Sequence, residues 1–182
     1  MKKISQRDLS EVLENQKKYV EQKEGGERAK LSGFDLSGLD LSDIDFRGAD
    51  FSFANLQGSD LIRATLQGAN FTGANLEDAN LHHANLIAAN FSDANLKYAN
   101  LSFCGANSAK FVNSNLQNAV ITAAYLTNTN FTNANMKRVN LKHSQLKGSN
   151  FTGADLRHAN LEYAHIDDID LNNSKLRGAR GI

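Results

Sequence analysis

Large apolar residues recur at every fifth position along most of the chain. Steps of five from Leu31 to Leu176 pass 30 positions, and Leu, Phe, Ile or Met occupies 29 of them. We call these positions the large series, and Ala106 is its one exception. The small series runs two residues earlier, from Ala29 to Ala179, and alanine fills 19 of its 31 positions. Between the two lies the Asn/Asp series, which holds Asn or Asp at most steps.

This period predicts a solenoid. A period of five fits neither the 3.6-residue turn of an α-helix nor the two-residue alternation of a long strand. It fits a short extended segment followed by a tight turn, where Gly, Asn or Asp supplies the positive φ of a type II turn. Four such units close a square coil of 20 residues, so the 30 positions of the large series make about 7.5 coils. The sequence therefore predicts an all-β solenoid, a quadrilateral β-helix with both apolar series pointing inward.

A row of phenylalanines supports the 20-residue coil. Phenylalanine occupies every fourth position of the large series in six successive coils: Phe51, Phe71, Phe91, Phe111, Phe131 and Phe151. We expect these rings to stack on one side of the core, and we expect no inserted loop, because the period never slips. In one coil, Ala106 replaces a larger residue beside the flexible Gly105. We predict the poorest packing or a local distortion at that coil.

The repeat unit resembles the pentapeptide repeat family, whose consensus is A(N/D)LXX. Ala69-Asn70-Phe71 and Ala154-Asp155-Leu156 match this consensus, and the resemblance covers residues 29–180. It implies a right-handed quadrilateral β-helix and a non-enzymatic, rigid scaffold for protein–protein interaction. Members of the quinolone-resistance group mimic DNA and act on type II topoisomerases. The resemblance therefore implies an alternative function, an inhibitor or protector of DNA gyrase.

The N-terminal segment predicts a cap over the first coil. Residues 1–28 lack the repeat, whereas residues 29–182 carry it. Ser5 has the features of a helix N-cap, and glycines at 25 and 26 provide a stop signal. Apolar residues collect on one helical face: Leu9, Val12, Leu13 and Val20. We interpret 6–23 as an amphipathic capping helix, with a separate membrane-binding or partner-binding helix as the alternative.

The C-terminal end has no comparable cap in the sequence. Only six residues follow Leu176, so the last coil is predicted to expose its apolar residues. These are Ile166, Ile169, Leu171 and Leu176. We hypothesise that a second copy of the chain covers them in an isologous, end-to-end homodimer.

Charge is balanced over the whole chain but uneven along it. Lys plus Arg and Asp plus Glu both number 20, which gives no general attraction to nucleic acid or to an anionic membrane. Residues 29–96 hold nine acidic and three basic side chains, whereas 97–153 hold no acidic and six basic ones. Residues 154–182 hold five acidic and four basic ones. DNA mimicry requires a strongly acidic surface, so this balance disfavours the gyrase alternative.

A basic stripe is predicted on one side of the C-terminal half. When the chain is wound into 20-residue coils, the stripe consists of Lys97, Lys137, Arg138, Arg157, His158, Lys175 and Arg177. It is either a docking surface for an acidic protein partner or ordinary solvated charge. An outward row of hydroxyl residues, which includes Ser52, Thr72 and Ser92, is a weaker candidate for ordering water, as in ice binding. We favour the plain structural interpretation of that row.

Few residues suggest covalent chemistry. The single cysteine, Cys104, falls on the inward small series, where a buried apolar role is expected. Neither the histidines nor the acidic pairs reach a metal-binding or general acid–base arrangement. We therefore expect no catalytic site, cofactor or metal. No secretory signal or membrane-spanning stretch is evident, and we expect a bacterial, cytoplasmic protein.

Overall fold

A computed structural model describes all 182 residues of the chain. It contains two short strands and one helix: β1, Lys2–Lys3; α1, Gln6–Val20; and β2, Phe34–Asp35. Single-residue parallel β-bridges join residues 20 apart, from Lys30 with Asp50 to Asn160 with Arg180. The register of these bridges is constant, so the four-sided coil and the absence of inserted loops are confirmed.

The backbone of each five-residue unit pairs with the coils on both sides. The N–H of Phe51 donates to the carbonyl of Asn70 at 2.8 Å, and the N–H of Asn70 donates to the carbonyl of Ala49 at 2.9 Å. Within a unit, the N–H of Ala54 donates to the carbonyl of Phe51 at 3.0 Å and closes the turn. These bonds satisfy backbone groups that would otherwise be buried without a partner.

The last residue of every unit has positive φ, as the turn pattern predicts. Glycine, asparagine and aspartate are common there, but Phe53, Tyr98 and Phe103 also adopt φ values of 56° to 60°. Bulky residues rarely occupy this conformation, because it brings Cβ close to the backbone. The bonds of the solenoid therefore impose the turn on whichever side chain is present.

The core is continuous along the solenoid. Every member of the large series from Leu31 to Leu161 has at most 1% of its surface exposed. The predicted phenylalanine stack is confirmed, with neighbouring ring centroids 4.6–5.2 Å apart and ring planes within 13° of parallel. Phe46, on an adjacent side, packs edge-on against Phe51 at 5.1 Å. The stack thus runs parallel to the solenoid axis on one side of the core.

The local distortion predicted at Ala106 is wrong, whereas the alternative of poorest packing at that coil stays a prediction. Gly105 bridges Asn85 on one side and Tyr125 on the other, as regularly as its neighbours do. The N–H of Ala106 donates to the carbonyl of Tyr125 at 2.7 Å, and Thr129 Oγ1 donates to the carbonyl of Ala106 at 2.9 Å. Backbone pairing on both sides fixes this coil even though the large side chain is missing.

The helix α1 packs against the start of the solenoid. Ser5 Oγ accepts from the N–H of Asp8 at 3.1 Å, as expected of an N-cap. Three apolar residues of the predicted face lie against the core: Leu9, Val12 and Leu13. Gln16 is buried between the two elements. Its side chain donates to the carbonyl of Arg47 at 3.2 Å and accepts from the N–H of Ala29 at 2.7 Å.

The helix ends earlier than the glycines predict. Its last residue is Val20 rather than residue 23, and Gln22 adopts the left-handed conformation with φ 55°. The N–H of Lys23 donates to the carbonyl of Lys18, and that of Gln22 donates to the carbonyl of Tyr19, which is the Schellman arrangement. Close packing explains the second glycine, because a Cβ on Gly26 would lie 2.3 Å from the nitrogen of Tyr19.

The two ends of the solenoid differ in coverage. At the N-terminal end, β1 pairs in parallel with β2, with Lys2 opposite Phe34, which the sequence does not predict. At the C-terminal end, Ile166, Ile169 and Leu171 are only partly buried, and Leu176 is 36% exposed. The predicted exposure of the last coil is therefore confirmed.

Candidate functional site

Four members of the basic stripe line one open concavity on a corner of the solenoid. Together with Gln117 they form what we call the basic concavity: Gln117, Lys137, Arg138, Arg157 and His158. The register between coils brings these residues to the same corner. The N–H of Arg138 donates to the carbonyl of Arg157 in the next coil at 3.0 Å. The next coil continues it, since the N–H of His158 donates to the carbonyl of Arg177 at 3.1 Å.

One carboxylate holds two of these cations. Arg157 Nε and Nη2 donate to the two oxygens of Asp155 at 2.9 and 2.7 Å. Lys137 Nζ lies 3.4 Å from Asp155 Oδ2, and the Asp155 side chain is only 13% exposed. Hydrogen bonding by Arg157 lowers the pKa of Asp155 to about 2, against the opposing effect of burial. Asp155 therefore stays ionised at neutral pH, orients Arg157 and offsets part of the positive charge.

Other stripe members stand apart from the concavity. Lys97 is separated from Lys137 by the coil that holds the uncharged Gln117, and its ammonium lies 4.7 Å from the ring centre of Tyr98. Lys175 forms a backbone bridge with Asp155 in the neighbouring coil. The structure thus gathers five of the seven predicted residues at one corner, four in the concavity and Arg177 beside it. Lys97 and Lys175 lie at its margins.

The role of Asp155 was missed by sequence reasoning, although a local signal exists. An Asp in the Asn/Asp series points outward on the same side as the residue two positions later, because the large-series residue between them points inward. Asp45 and Arg47 repeat the arrangement, with Arg47 Nη2 at 2.7 Å from Asp45 Oδ2. An Asp-x-Arg triplet in this register therefore indicates an ion pair.

The cysteine and several histidines, the other candidates for chemistry, take part in packing. Cys104 is fully buried, and burial raises the pKa of its thiol to about 12. His82 and His83 pack against Phe103 at ring-centre distances of 5.4 and 5.1 Å, and the buried His82 Nδ1 has no hydrogen-bond partner. His143 stacks on Tyr163 at 5.1 Å. No group of three or more His, Cys, Asp or Glu side chains has metal-binding geometry.

The hydroxyl row bonds to neighbouring groups of the solenoid itself. The hydroxyl of Thr72 donates to Asn70 Oδ1 at 2.7 Å, and that of Ser92 donates to Asn90 Oδ1 at 2.7 Å. Because these hydroxyls already donate to neighbouring amides, they offer fewer donors for ordering external water. The geometry gives the row a turn-stabilising role.

Shallow depressions also lie beside the C-terminal end of α1. One is bordered by the side chains of Tyr19 and Arg47 and by two glycines, Gly48 and Gly68. Its surface is mixed in polarity and lies where the helix meets the solenoid. The single helix, α1, lacks the length and apolar character needed to cross a bilayer.

Sequence profiles of one family match nearly the whole solenoid. A profile described as pentapeptide repeats (8 copies) matches residues 27–61 and 40–78. A second profile, described as pentapeptide repeat region, matches residues 74–151 and 107–180. No curated protein matches the chain significantly.

Several solved structures are similar to this chain. Full-length QnrB1, a plasmid-mediated fluoroquinolone resistance protein, is 23% identical, with a TM-score of 0.61 over 85% of this chain and 87% of its own. HetL, a protein involved in heterocyst differentiation regulation from the cyanobacterium Nostoc sp. strain PCC 7120, is 25% identical. Its TM-score is 0.46 over 84% of this chain and 78% of its own. A thylakoid-lumen pentapeptide repeat protein from Arabidopsis thaliana is 30% identical, with a TM-score of 0.38 over 59% of this chain and 68% of its own.

The repeat, the bridge register and the profile matches agree on one architecture. The QnrB1 likeness supports the same fold, a right-handed quadrilateral β-helix. The chain belongs to the pentapeptide repeat family.

Proposed function

We propose that the protein is a non-enzymatic, rigid scaffold that binds an acidic protein partner through the basic concavity. The observation that carries this proposal is the convergence of Lys137, Arg138, Arg157 and His158 on one corner. Arginine binds carboxylates through a planar, two-pronged donor set. Arg138 and Arg177 make no ion pair within the chain, so their guanidinium groups remain available to a partner.

The rod form supports this role. About 7.5 coils, closed at the N-terminal end by α1 as a cap, would hold the corner side chains at fixed spacings of roughly 4.8 Å per coil. Binding to a preformed surface avoids much of the ordering cost that flexible loops incur. The proposal includes a cytoplasmic location, in keeping with a single buried thiol.

The non-enzymatic part rests on where the reactive groups lie. Cys104, the strongest nucleophile in the sequence, is buried without a neighbouring base, and its raised pKa disfavours the thiolate. Asp155, which lies beside the basic concavity, is the ionised partner of Arg157. A general acid or base needs a pKa nearer to neutral pH than the value of about 2 for Asp155.

A charge-reversal experiment tests the docking surface. Arg138→Glu with Arg177→Glu changes the concavity while leaving the Asp155 pair intact, and Arg7→Glu with Lys110→Glu is a control with the same change in net charge. Affinity capture from the native cell should lose its partner with the first double variant and keep it with the control. Equal capture by both variants would remove the basic concavity from the proposal.

We also propose that two copies associate through their exposed C-terminal coils. Ile166, Ile169, Leu171 and Leu176 form the end of the core and are less buried than their equivalents in the preceding coils. In a dimer with a twofold axis at this end, each copy would cover the exposed apolar residues of the other. Leu171→Asp should shift a dimer to a monomer in sedimentation equilibrium. A monomer already present for the parent chain at high concentration would contradict the dimer.

The structure offers little support for a gyrase regulator. The likeness to QnrB1 at 23% identity concerns the fold, and two acidic side chains of the first coils are paired with arginines. Arg63 Nη2 lies 2.6 Å from Asp43, and Arg47 Nη2 lies 2.7 Å from Asp45. Inhibition of purified gyrase supercoiling by this protein would promote this alternative over the scaffold.

A further inference from the structure

The Asn/Asp series is interrupted around one corner of the solenoid. Between Asn70 and Asn160, the members other than Asn or Asp are Gly105, Lys110, Val120, Tyr125 and Gln145. Three of these, Gly105, Val120 and Tyr125, lie on adjacent coils. They occupy the two sides of the solenoid that meet at the corner of Phe103. On another side of the rod the amides continue without interruption, as in the bond from Asn115 to Asn95 at 3.2 Å.

The register brings these residues together. Gly105 forms a β-bridge with Tyr125, and the N–H of Phe103 donates at 2.9 Å to the carbonyl of Thr122, midway between Val120 and Tyr125. Phe103, Val120 and Tyr125 are 49%, 38% and 58% exposed. Single exposed apolar residues are ordinary, but a group of large ones on adjacent coils is typical of an interaction site.

Gly105 leaves a notch in this group. It has no positive φ, unlike every other glycine from Gly33 onward, so the turn does not require it. A Cβ at this position would meet no atom within 4 Å, so close packing does not require a glycine either. The missing side chain leaves an open position beside Tyr125 and next to Phe103, and we call this opening the Gly105 notch.

Val120 offers no side-chain acceptor to the turn that follows it, whereas after Tyr125 the N–H of Thr127 donates to Asn107 Oδ1 at 2.9 Å. Asn100 Oδ1 accepts from the N–H of Ser102 at 3.1 Å, and Asn140 Oδ1 accepts from the N–H of Lys142 at 3.2 Å. Thr122, two residues after Val120, has no equivalent bond. Natural proteins commonly give up such stabilising groups where a surface is needed for binding.

We propose that the Gly105 notch binds an extended segment of a protein partner that carries one large apolar side chain flanked by carboxylates. The apolar side chain would enter between Phe103 and Tyr125. The carboxylates follow from the charge of the surrounding coils, because residues 97–153 hold six basic side chains, including Lys137 and Arg138, and no acidic one. Lys142 lies in the coil next to the corner, where its carbonyl accepts from the N–H of Ala123 at 2.9 Å, and its ammonium lies 3.1 Å from Glu162 in the following coil.

This site lies on a different corner from the basic concavity, although Lys137 and Arg138 contribute to the charge of the coils around it. A phage-displayed random peptide library, selected on the full chain, is a direct probe. The variants Gly105→Asn and Tyr125→Asn restore the pattern and close or remove the notch. Phe53→Asn is a matched control, since Phe53 is a 61% exposed ring with φ 56° on another corner, whereas Phe103 has φ 60°.

Selected peptides are expected to share a large apolar residue next to Asp or Glu. Their affinity should fall about tenfold or more with Tyr125→Asn, as for a central interface residue, and at least as far with Gly105→Asn. Phe53→Asn should bind them as the parent does, and the Arg138→Glu, Arg177→Glu pair should lower their affinity by less than Tyr125→Asn does, because Arg138 supplies only part of the surrounding charge. Melting temperatures of the two notch variants should equal or exceed that of the parent.

Three results would overturn the proposal. The first is a library that yields no such peptides, and the second is peptides whose affinity survives both notch variants. The third is a clear fall in melting temperature for Gly105→Asn and Tyr125→Asn, which would make the off-pattern residues structural. A smaller loss of peptide affinity in the concavity variant than in Tyr125→Asn separates this site from the proposed docking corner.

Discussion

Truncation of a central ring in the phenylalanine stack should destabilise the protein more than any surface change. Phe91 is fully buried, and its ring centre lies 4.6 Å from that of Phe71 and 4.9 Å from that of Phe111. Phe91→Ala removes the apolar contacts of the ring and leaves a cavity, at a cost of about 3–5 kcal/mol. The value should lie towards the upper end, because two aromatic contacts of roughly 0.5–1.5 kcal/mol each are lost with it.

The position of the ring in the stack provides an internal comparison. Phe151 is also fully buried but has only one ring neighbour, Phe131, at 4.9 Å. Phe151→Ala should therefore cost less than Phe91→Ala by about one aromatic contact, roughly 1 kcal/mol. Phe53→Ala, at an exposed ring, should stay within about 0.5 kcal/mol of the parent.

Urea denaturation followed by circular dichroism measures these differences in the free energy of unfolding. The slope with denaturant should be similar for the parent and the variants, so that the midpoints report stability. If Phe91→Ala were no more destabilising than Phe53→Ala, the rings would not form a buried axial stack. The assignment of residues to the corners and sides of the solenoid would then also be wrong.

Three further measurements test local features. Asp155→Asn should destabilise the protein at neutral pH, because folding lowers the pKa of Asp155 from 3.8 to about 2. In urea titrations, the difference in the free energy of unfolding between the variant and the parent should vanish as the pH falls from about 4 to 2. Cys104 should react with a thiol reagent only at the rate of unfolding, since it is buried and its pKa is raised to about 12; prompt labelling in native buffer would show an open path to it. Gln16→Leu should cost about 1–3 kcal/mol, because it leaves the N–H of Ala29 without its acceptor, and amide exchange at Ala29 should accelerate while that at Phe111 stays unchanged.

The solenoid could be predicted from the sequence because every unit repeats the same physical requirement. The large and small series place one apolar pair per side, and register follows once four units close a coil. The stacking of Phe51 on Phe71 at 4.9 Å follows from that register alone. The absence of the predicted distortion at Ala106 has the same origin, because backbone pairing to both neighbouring coils outweighs the loss of one large side chain.

The ends and the site were less predictable, because they depend on contacts outside the repeat. β1 pairs with β2 through backbone bonds that leave no pattern in a two-residue strand. The end of α1 is set by a Schellman arrangement at Gln22, where a glycine would be the usual residue. The seven-residue basic stripe could be placed from register, but the pairing of Asp155 with Arg157 depends on side-chain geometry.

Repetition also separates structural roles from binding roles. Phe53 and Phe103 occupy equivalent turns with φ 56° and 60°, so the backbone cost of a bulky residue is the same at both. Their surroundings differ: Phe53 lies over Gly73, whose Cβ would come within 2.6 Å of the ring, whereas Phe103 stacks on His83 at 5.1 Å beside an open position. Any difference between equivalent substitutions at the two sites therefore reports on those surroundings rather than on the turn. Each unit has close counterparts elsewhere in the same chain, which supply controls for measuring a departure from the pattern.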